Sequence, residues 1–466
     1  MLFSSIPFLY YFLPCVLIVY LIAPKALKNS VLLLFSLFFY AWGEPKFLIF
    51  MLLSIAQGYI FGILIEKYRG RKASKVFLIL SVAFSLLLLG YCKYADFLIS
   101  SFNAVTGLSV PLLKIALPIG ISFYTFQILS YVVDVYRGGV PAQKNLINLA
   151  AYIAMFQQLI AGPIVRYSDI ALQLNNRSHT AEKTAQGIRR FVIGLGKKML
   201  LANVLAELVN TFKASDEKTV FFFWLYAIAY TLHIYFDFSG YSDMAIGLGL
   251  IFGFRFSENF NYPYISASIT EFWRRWHISL GSWFRDYLYI PLGGNRVSRP
   301  RWLFNILIVW MATGLWHGAA WNFVVWGLMF AVLLMVEKLW LLKPLQKMKF
   351  FNHLYVLFFV VLSFVIFDAA SLSDGFYSLK AMFGGAGLNF IGAESLYYFK
   401  SYAVVLLIAI IGATPLPKKL VDTLAKNNIG TAVLGVAEPL VLVGILAVCT
   451  AFLIDGSFNP FLYFRF

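Results

Sequence analysis

The sequence predicts an all-α protein that crosses a membrane many times, and three observations carry the prediction. Of its 466 residues, 61% are hydrophobic and only 13% charged. Soluble chains carry about a quarter charged residues. Apolar runs recur that are long enough to span hydrocarbon, which takes about 20 helical residues each. The Lys and Arg residues cluster between these runs, the pattern of cytoplasmic loops. The runs are continuous rather than alternating, which argues against a β-barrel. Residues 1–466 read as one polytopic membrane domain of roughly 11–14 membrane segments, some of them re-entrant, at about 20 residues per span. Its candidate core runs from residue 117 to residue 340.

The net charge of +17 belongs to those loops. No recognition motif accompanies it, so membrane lipid is an expected partner and nucleic acid is not. Cys15, Cys92 and Cys449 lie far apart, with no metal or redox spacing. They imply neither a metal site nor a disulfide framework. The opening "MLFSSIPFLYYFLPCVLIVYLIAPK" lacks a basic start and a small-residue cleavage site, and reads as a retained first helix.

In chain order, Lys25 and Lys28 follow the first run, and "EKYRGRKASK" (66–75) follows the third. Basic regions also run from Arg166 to Lys198 and from Arg274 to Arg301, and again over "EKLWLLKPLQKMK" and near Lys418. These are expected in the cytoplasm, with both termini outside. Residues 370–400 are expected to form a nearly neutral outer loop. The segments 117–138 and 156–169 carry Gly and Pro inside apolar runs, the mark of broken or re-entrant helices that line protein or a wet cavity. Gln127, Gln157 and Gln158 are polar at that depth and are candidate cavity liners.

In "TLHIYFDFSGYSDMAIG" (231–247), His233 and Asp237 share a helix face. They read either as a site pair or cation site, or as a polar network fastening helices together. In 268–296, Ser268 and Glu271 form a capping-box pattern. Trp273, Trp276, Leu280, Trp283, Phe284 and Tyr287 follow at three- and four-residue spacings, which predicts a helix with an aromatic stripe on the cytoplasmic side, either interfacial or dipping partly into the protein. His277 lies on the stripe, either as a site histidine at the cytoplasmic mouth or as one member of an aromatic belt.

The charge-free stretch 302–336 holds 35 residues, too many for one span and too few for two full ones. A hairpin of two helices of about 16 residues, each climbing roughly 24 Å, resolves the mismatch; a single tilted helix is the alternative. In the hairpin, "GLWHGAAW" (314–321) breaks deep in the membrane and sets His317 at the tip. Intramembrane ionisable groups are costly and commonly functional, and histidine exchanges protons near neutral pH. There is no G-x-S-x-G elbow and no phosphate loop. Any group transfer is therefore expected to be direct, with a histidine as base. The rival class is a non-enzymatic polysaccharide or ion transporter, which would usually show an internal repeat; none emerges here.

Taken together, "MLFSSIPFLYYFLP", "FYAWGEP", "GISFYTFQILSYVVDVYRG", "AGPIVRYSD", "YFDFSGYSDMAIGLG", "NFNYPYISASITEFWRRWHISLGSWFRDYLYIPLGGNR", "GLWHGAAW" and "FNPFLYFRF" span the chain in order. They resemble the membrane-bound O-acyltransferase (MBOAT) family, in the branch containing the membrane subunit of bacterial alginate O-acetylation. The resemblance implies a multi-helix core with re-entrant or broken helices around a central tunnel, in the bacterial cytoplasmic (inner) membrane. It places the family's central histidine on His317 and its second on His277. It implies acetyl-CoA as a co-substrate rather than a bound cofactor, an exported polysaccharide such as alginate as the destination, and an extracytoplasmic partner of SGNH-hydrolase type. Arg274, Arg275 and Arg285, with Trp276 beside them, become candidates for the donor's phosphates, with lipid anchoring as the alternative. Trp316, Trp321, Asn322, Asp237 and Gln127 become candidate tunnel-lining residues, Asn322 as an oxyanion donor.

Overall fold

The computed structural model describes residues 1–43, 45–160 and 162–456. Among them there is no strand; every regular element is a helix. Among the described residues, eight helical stretches are long and apolar enough to cross a membrane: Lys25–Gly43, Pro45–Lys67, Lys72–Thr106, Val220–Ile251, Trp321–Lys347, Phe351–Asp368, Ala393–Gly412 and Asn428–Ile454. "FNPFLYFRF" lies outside the described residues. The chain divides into two compact units, Met1–Ile188 with Ala245–Ser257, and Arg189–Met244 with Glu258 onward.

In the first unit, polar side chains tie apolar helices together. Ser81 donates to Gln57 Oε1 (2.8 Å), and Gln57 Nε2 donates to Ser85 (3.0 Å), joining helices Leu48–Lys67 and Lys72–Leu89. In lipid such bonds do what apolar burial cannot, since the surroundings are as apolar as the side chains. Phe3, Phe8, Phe12, Phe39 and Phe156 form a tilted and edge-to-face cluster. The segment 117–138 holds one continuous helix, Ile121–Arg137, rather than a broken one; it starts only after Gly120, whose φ is +76°. His179 is exposed in its loop and sets Nε2 2.9 Å from the Tyr20 hydroxyl. Burial first, then Lys28 and Arg177, hold this histidine below its ordinary range.

In the second unit, residues 220–244 of helix Val220–Ile251 run through the core, whose walls come from Phe272, Trp276, Trp326, Phe330 and Phe364. Asp237, on this helix, is ion-paired to Lys198, both side chains 1% exposed. Asp243 takes Arg190 (2.9 Å) and Lys197 (2.7 Å). Both acids therefore fasten helices. Helix Asn428–Ile454 keeps only 6% of its span buried in protein, as a lipid-facing helix does.

Two expectations need correction. The segment 268–296 is not one interfacial helix. It folds as Ile269–Arg275, a break at Trp276 and His277, Ile278–Phe284, and a wider turn Arg285–Tyr289. The break has a backbone cause: Asn261 N–H donates to the Arg275 carbonyl (2.9 Å) and Ile278 N–H to the Asn259 carbonyl (3.0 Å), so segment 259–261 takes bonds that a continuous helix would use. The stripe residues Trp276, Leu280, Trp283 and Phe284 are buried in protein, which favours the dipping alternative over the interfacial one. Residues 370–400 are not simply a loop, because Ser371 accepts from Asp374 N–H and starts helix Leu372–Met382.

Candidate active site

The stretch 302–336 folds as the hairpin. Helix Arg299–His317 ends at the histidine, residues 318–320 turn, and helix Trp321–Val336 returns. Gly314 and Gly327 make the two helices fit. A Cβ on Gly314 would collide with the Phe323 carbonyl, and one on Gly327 with the Trp310 carbonyl. Gly314 is therefore a packing glycine inside the helix, not part of the break. A Cβ on Gly318, within the turn, would strike the Phe323 ring.

At the tip, His317 is buried in an aromatic box. Its ring lies 5.0 Å from Trp316, 5.0 Å from Trp326 and 5.3 Å from Phe367, each at a steep angle. His277 is brought to the same place. Its ring lies 5.8 Å from Trp316 and 4.6 Å from Phe238, edge to face in both cases. Trp316 thus stands against both imidazoles. His277 sits in the left-handed region (φ 45°, ψ 53°) with 1% of its surface exposed, a conformation that surrounding structure must hold. It lies between two short helices outside the eight spans. Burial first, then the His317 imidazole, hold it well below the usual histidine range.

A cavity of about 440 Å³ opens beside His277, bordered by Trp273, Arg274, Arg285, Trp310, Thr313 and Lys338 among others. The three candidate arginines separate here. Arg275 lies outside the lining and is bound to Glu271 (2.8 Å) and the Asn261 carbonyl (3.1 Å). Arg285 borders the cavity but is paired fork to fork with Asp286 (2.7 and 3.1 Å). Arg274 borders it and makes no ion pair with a described residue. Among the described residues, no cluster of His, Cys, Asp and Glu fits a metal ion.

Other expected site residues are placed elsewhere. Trp276 packs into the core against Phe260 (5.1 Å) and Phe364 (5.4 Å). Trp321 is 56% exposed at the start of its helix, not in a buried wall. Asn322 turns its amide N–H groups to the carbonyls that end helix Phe351–Asp368, closest at Ala369 (3.1 Å). That use competes with an oxyanion role. Gln127 is buried within the first unit.

Sequence reading missed Asn259, Trp310, Thr313, Glu337 and Lys338. Glu337 is fully buried and accepts from Ile269 N–H (2.5 Å), Thr270 N–H (2.9 Å) and the Thr270 hydroxyl (2.8 Å). It holds the start of the helix that presents Trp273 and Arg274. Its signal was available: it is the first acid after a long uncharged run.

The model of the membrane-bound O-acyltransferase (MBOAT) family matches residues 139–379, which include both histidines and the whole cavity lining. The chain belongs to this family. The MBOAT protein is an O-acyltransferase and a multi-pass membrane protein, and the transporter reading has no support. It is 45% identical over 389 residues to the probable alginate O-acetylase AlgI of Azotobacter vinelandii, covering 82% of this chain and 78% of the relative. It is 41% identical to the same-named protein of Pseudomonas putida over the full length of both. A peptidoglycan O-acetyltransferase of Helicobacter pylori is 34% identical over 84% of this chain and 81% of its own.

Proposed function

We propose that the protein moves an acetyl group from cytoplasmic acetyl-CoA across the bacterial inner membrane, for O-acetylation of an exported polysaccharide such as alginate, with His317 as the general base. The observation that carries the reading is the pair of buried imidazoles sharing Trp316, with a cavity and an uncommitted arginine beside one of them. An acceptor hydroxyl gives its proton to the His317 imidazole as its oxygen attacks the thioester carbonyl. The C–S bond breaks, and the departing thiolate takes the proton back from the imidazole. General base catalysis of this kind contributes typically about 10²–10⁴-fold, and confinement of both reactants adds proximity. The aromatic box lowers the local dielectric and strengthens whatever dipoles face the developing oxyanion.

Arg274 suits the donor's phosphates, because a guanidinium binds phosphate with a planar fork. The names of the similar proteins, O-acetylases of alginate and peptidoglycan, support acetyl as the group. The described outer segments offer no separate domain for gripping a polymer, so an extracytoplasmic partner of SGNH-hydrolase type is proposed to complete the transfer. Reconstitution tests this. The protein alone in lipid nanodiscs should consume acetyl-CoA slowly and leave polymer unmodified, and adding the partner should restore transfer. Efficient polymer acetylation by the chain alone would remove the partner from the scheme, and donor turnover that survives His317→Ala would remove the base.

A further inference from the structure

The backbone that follows His277 is held by one residue that the acyl-transfer scheme does not use. Asn259 is wholly buried. Its carbonyl accepts from Ile278 N–H (3.0 Å), and its side-chain Oδ1 accepts from Ser279 N–H (3.2 Å) and the Ser279 hydroxyl (2.8 Å). The other end of the amide, Nδ2, donates to the Ser242 hydroxyl (3.1 Å). The orientation of this amide is chemically determined. A backbone N–H can only donate, so the atom facing Ser279 N–H must be the oxygen.

That oxygen also lies 3.2 Å from His277 Nδ1. An amide oxygen has no hydrogen to give, so the bond exists only if Nδ1 carries the proton. A neutral imidazole protonated at Nδ1 keeps its lone pair on Nε2. The two tautomers would have opposite chemistry at Nε2: one accepts a proton or hydrogen bond there, and the other donates.

We propose that Asn259 is a positioning residue that fixes His277 as the Nδ1–H tautomer, leaving Nε2 as the accepting nitrogen. The same bracket clamps the left-handed turn on which His277 sits, so ring orientation and tautomer are set by one side chain. The use of that accepting nitrogen in acyl transfer rests on the function proposed above; the tautomer itself does not.

The test separates the two. The full-length protein, ¹⁵N-labelled at histidine and held in lipid, is examined by solid-state NMR, with the His277 signals identified by their loss in His277→Asn. Asparagine is chosen because it tolerates positive φ better than other residues. The expected wild-type signal is a protonated Nδ1 with a bare Nε2. It should persist in Asn259→Asp, whose carboxylate still accepts, and give way to mixed tautomers in Asn259→Leu. A wild-type His277 protonated at Nε2, or at both nitrogens, overturns the proposal, and needs no variant to fold. On activity, Asn259→Leu should lower kcat by at least about tenfold with little change in donor KM, because the residue acts through a positioned imidazole rather than by touching donor. Asn259→Asp should recover part of that loss. Equal losses in the two variants with an unmoved tautomer signal would make Asn259 merely structural. If His277→Asn is fully active while the NMR result stands, the tautomer is fixed but the catalytic reading of His277 fails.

Discussion

The Trp316 ring lies 5.8 Å from the ring of His277 and adjoins its sequence neighbour His317 at 5.0 Å. One indole therefore relates two imidazoles that are 40 positions apart in sequence. They come from different elements, the end of a long helix and the break between two short ones.

Loss of the His317 imidazole should abolish acyl transfer while leaving folded protein. His317→Ala removes the proposed base from a box whose walls, Trp326 and Phe367, also pack on each other at 5.1 Å. The wall survives the deletion, so yield and thermal stability should change little. Turnover should fall by about 10²–10⁴-fold. A variant that keeps more than half its turnover, measured by release of free coenzyme A thiol, would make His317 a packing residue.

The arginines should part company. Arg274 borders the cavity without an ion-pair partner among the described residues, whereas Arg275 is held by Glu271 and the Asn261 carbonyl. Arg274→Ala should raise the donor's KM about tenfold or more, since charge-assisted bonds contribute about 1.5–3 kcal/mol. Arg275→Ala should act mainly on stability, by loosening the 259–261 segment from the helix. Donor titrations on both variants decide it; an unchanged KM in Arg274→Ala would favour lipid anchoring.

The hairpin depends on close backbone approach at one glycine. Gly314→Leu forces a side chain onto the Phe323 carbonyl, and overpacking of this kind costs about 1–3 kcal/mol or more. The variant should lose thermal stability and activity together, whereas Gly435→Ala, in open space on a lipid-facing helix, should leave both near wild type. Melting in detergent, followed by intrinsic tryptophan fluorescence, would show the contrast. A stable, active Gly314→Leu would mean that the hairpin tolerates a wider spacing.

Much of this was legible in the sequence because membrane insertion writes its constraints locally. The 35-residue length of 302–336 already implied a fold-back, and the break falls beside His317 as expected. The capping pattern at Ser268 and Glu271 is real: Ser268 accepts from Glu271 N–H at 3.0 Å. The continuous helix drawn from the aromatic stripe was wrong, because residues 259–261, outside the stripe, compete for its backbone bonds. Periodicity reports which face is buried, not which backbone groups a distant segment takes. For the same reason Trp321 and Asn322 could not be placed from their nearness to His317. A three-residue turn separates them from it, and the chain reverses there.

The sidedness of the membrane is the remaining expectation, and charge alone carries it. The cluster at 66–75 and the basic stretch at 337–350 should face the cytoplasm, and the Leu372–Met382 helix the outside. Single cysteines test this after Cys15, the exposed one of the three native cysteines, is replaced by serine; Cys92 and Cys449 are buried. Lys72→Cys and Lys349→Cys should resist a membrane-impermeant maleimide in intact cells and react after permeabilisation. Lys380→Cys, exposed near the end of its helix, should react in both. The reverse pattern would put the Arg274 side of the cavity outside, beyond reach of cytoplasmic acetyl-CoA. Strong labelling at position 72 in intact cells would therefore overturn both the topology and the donor it implies.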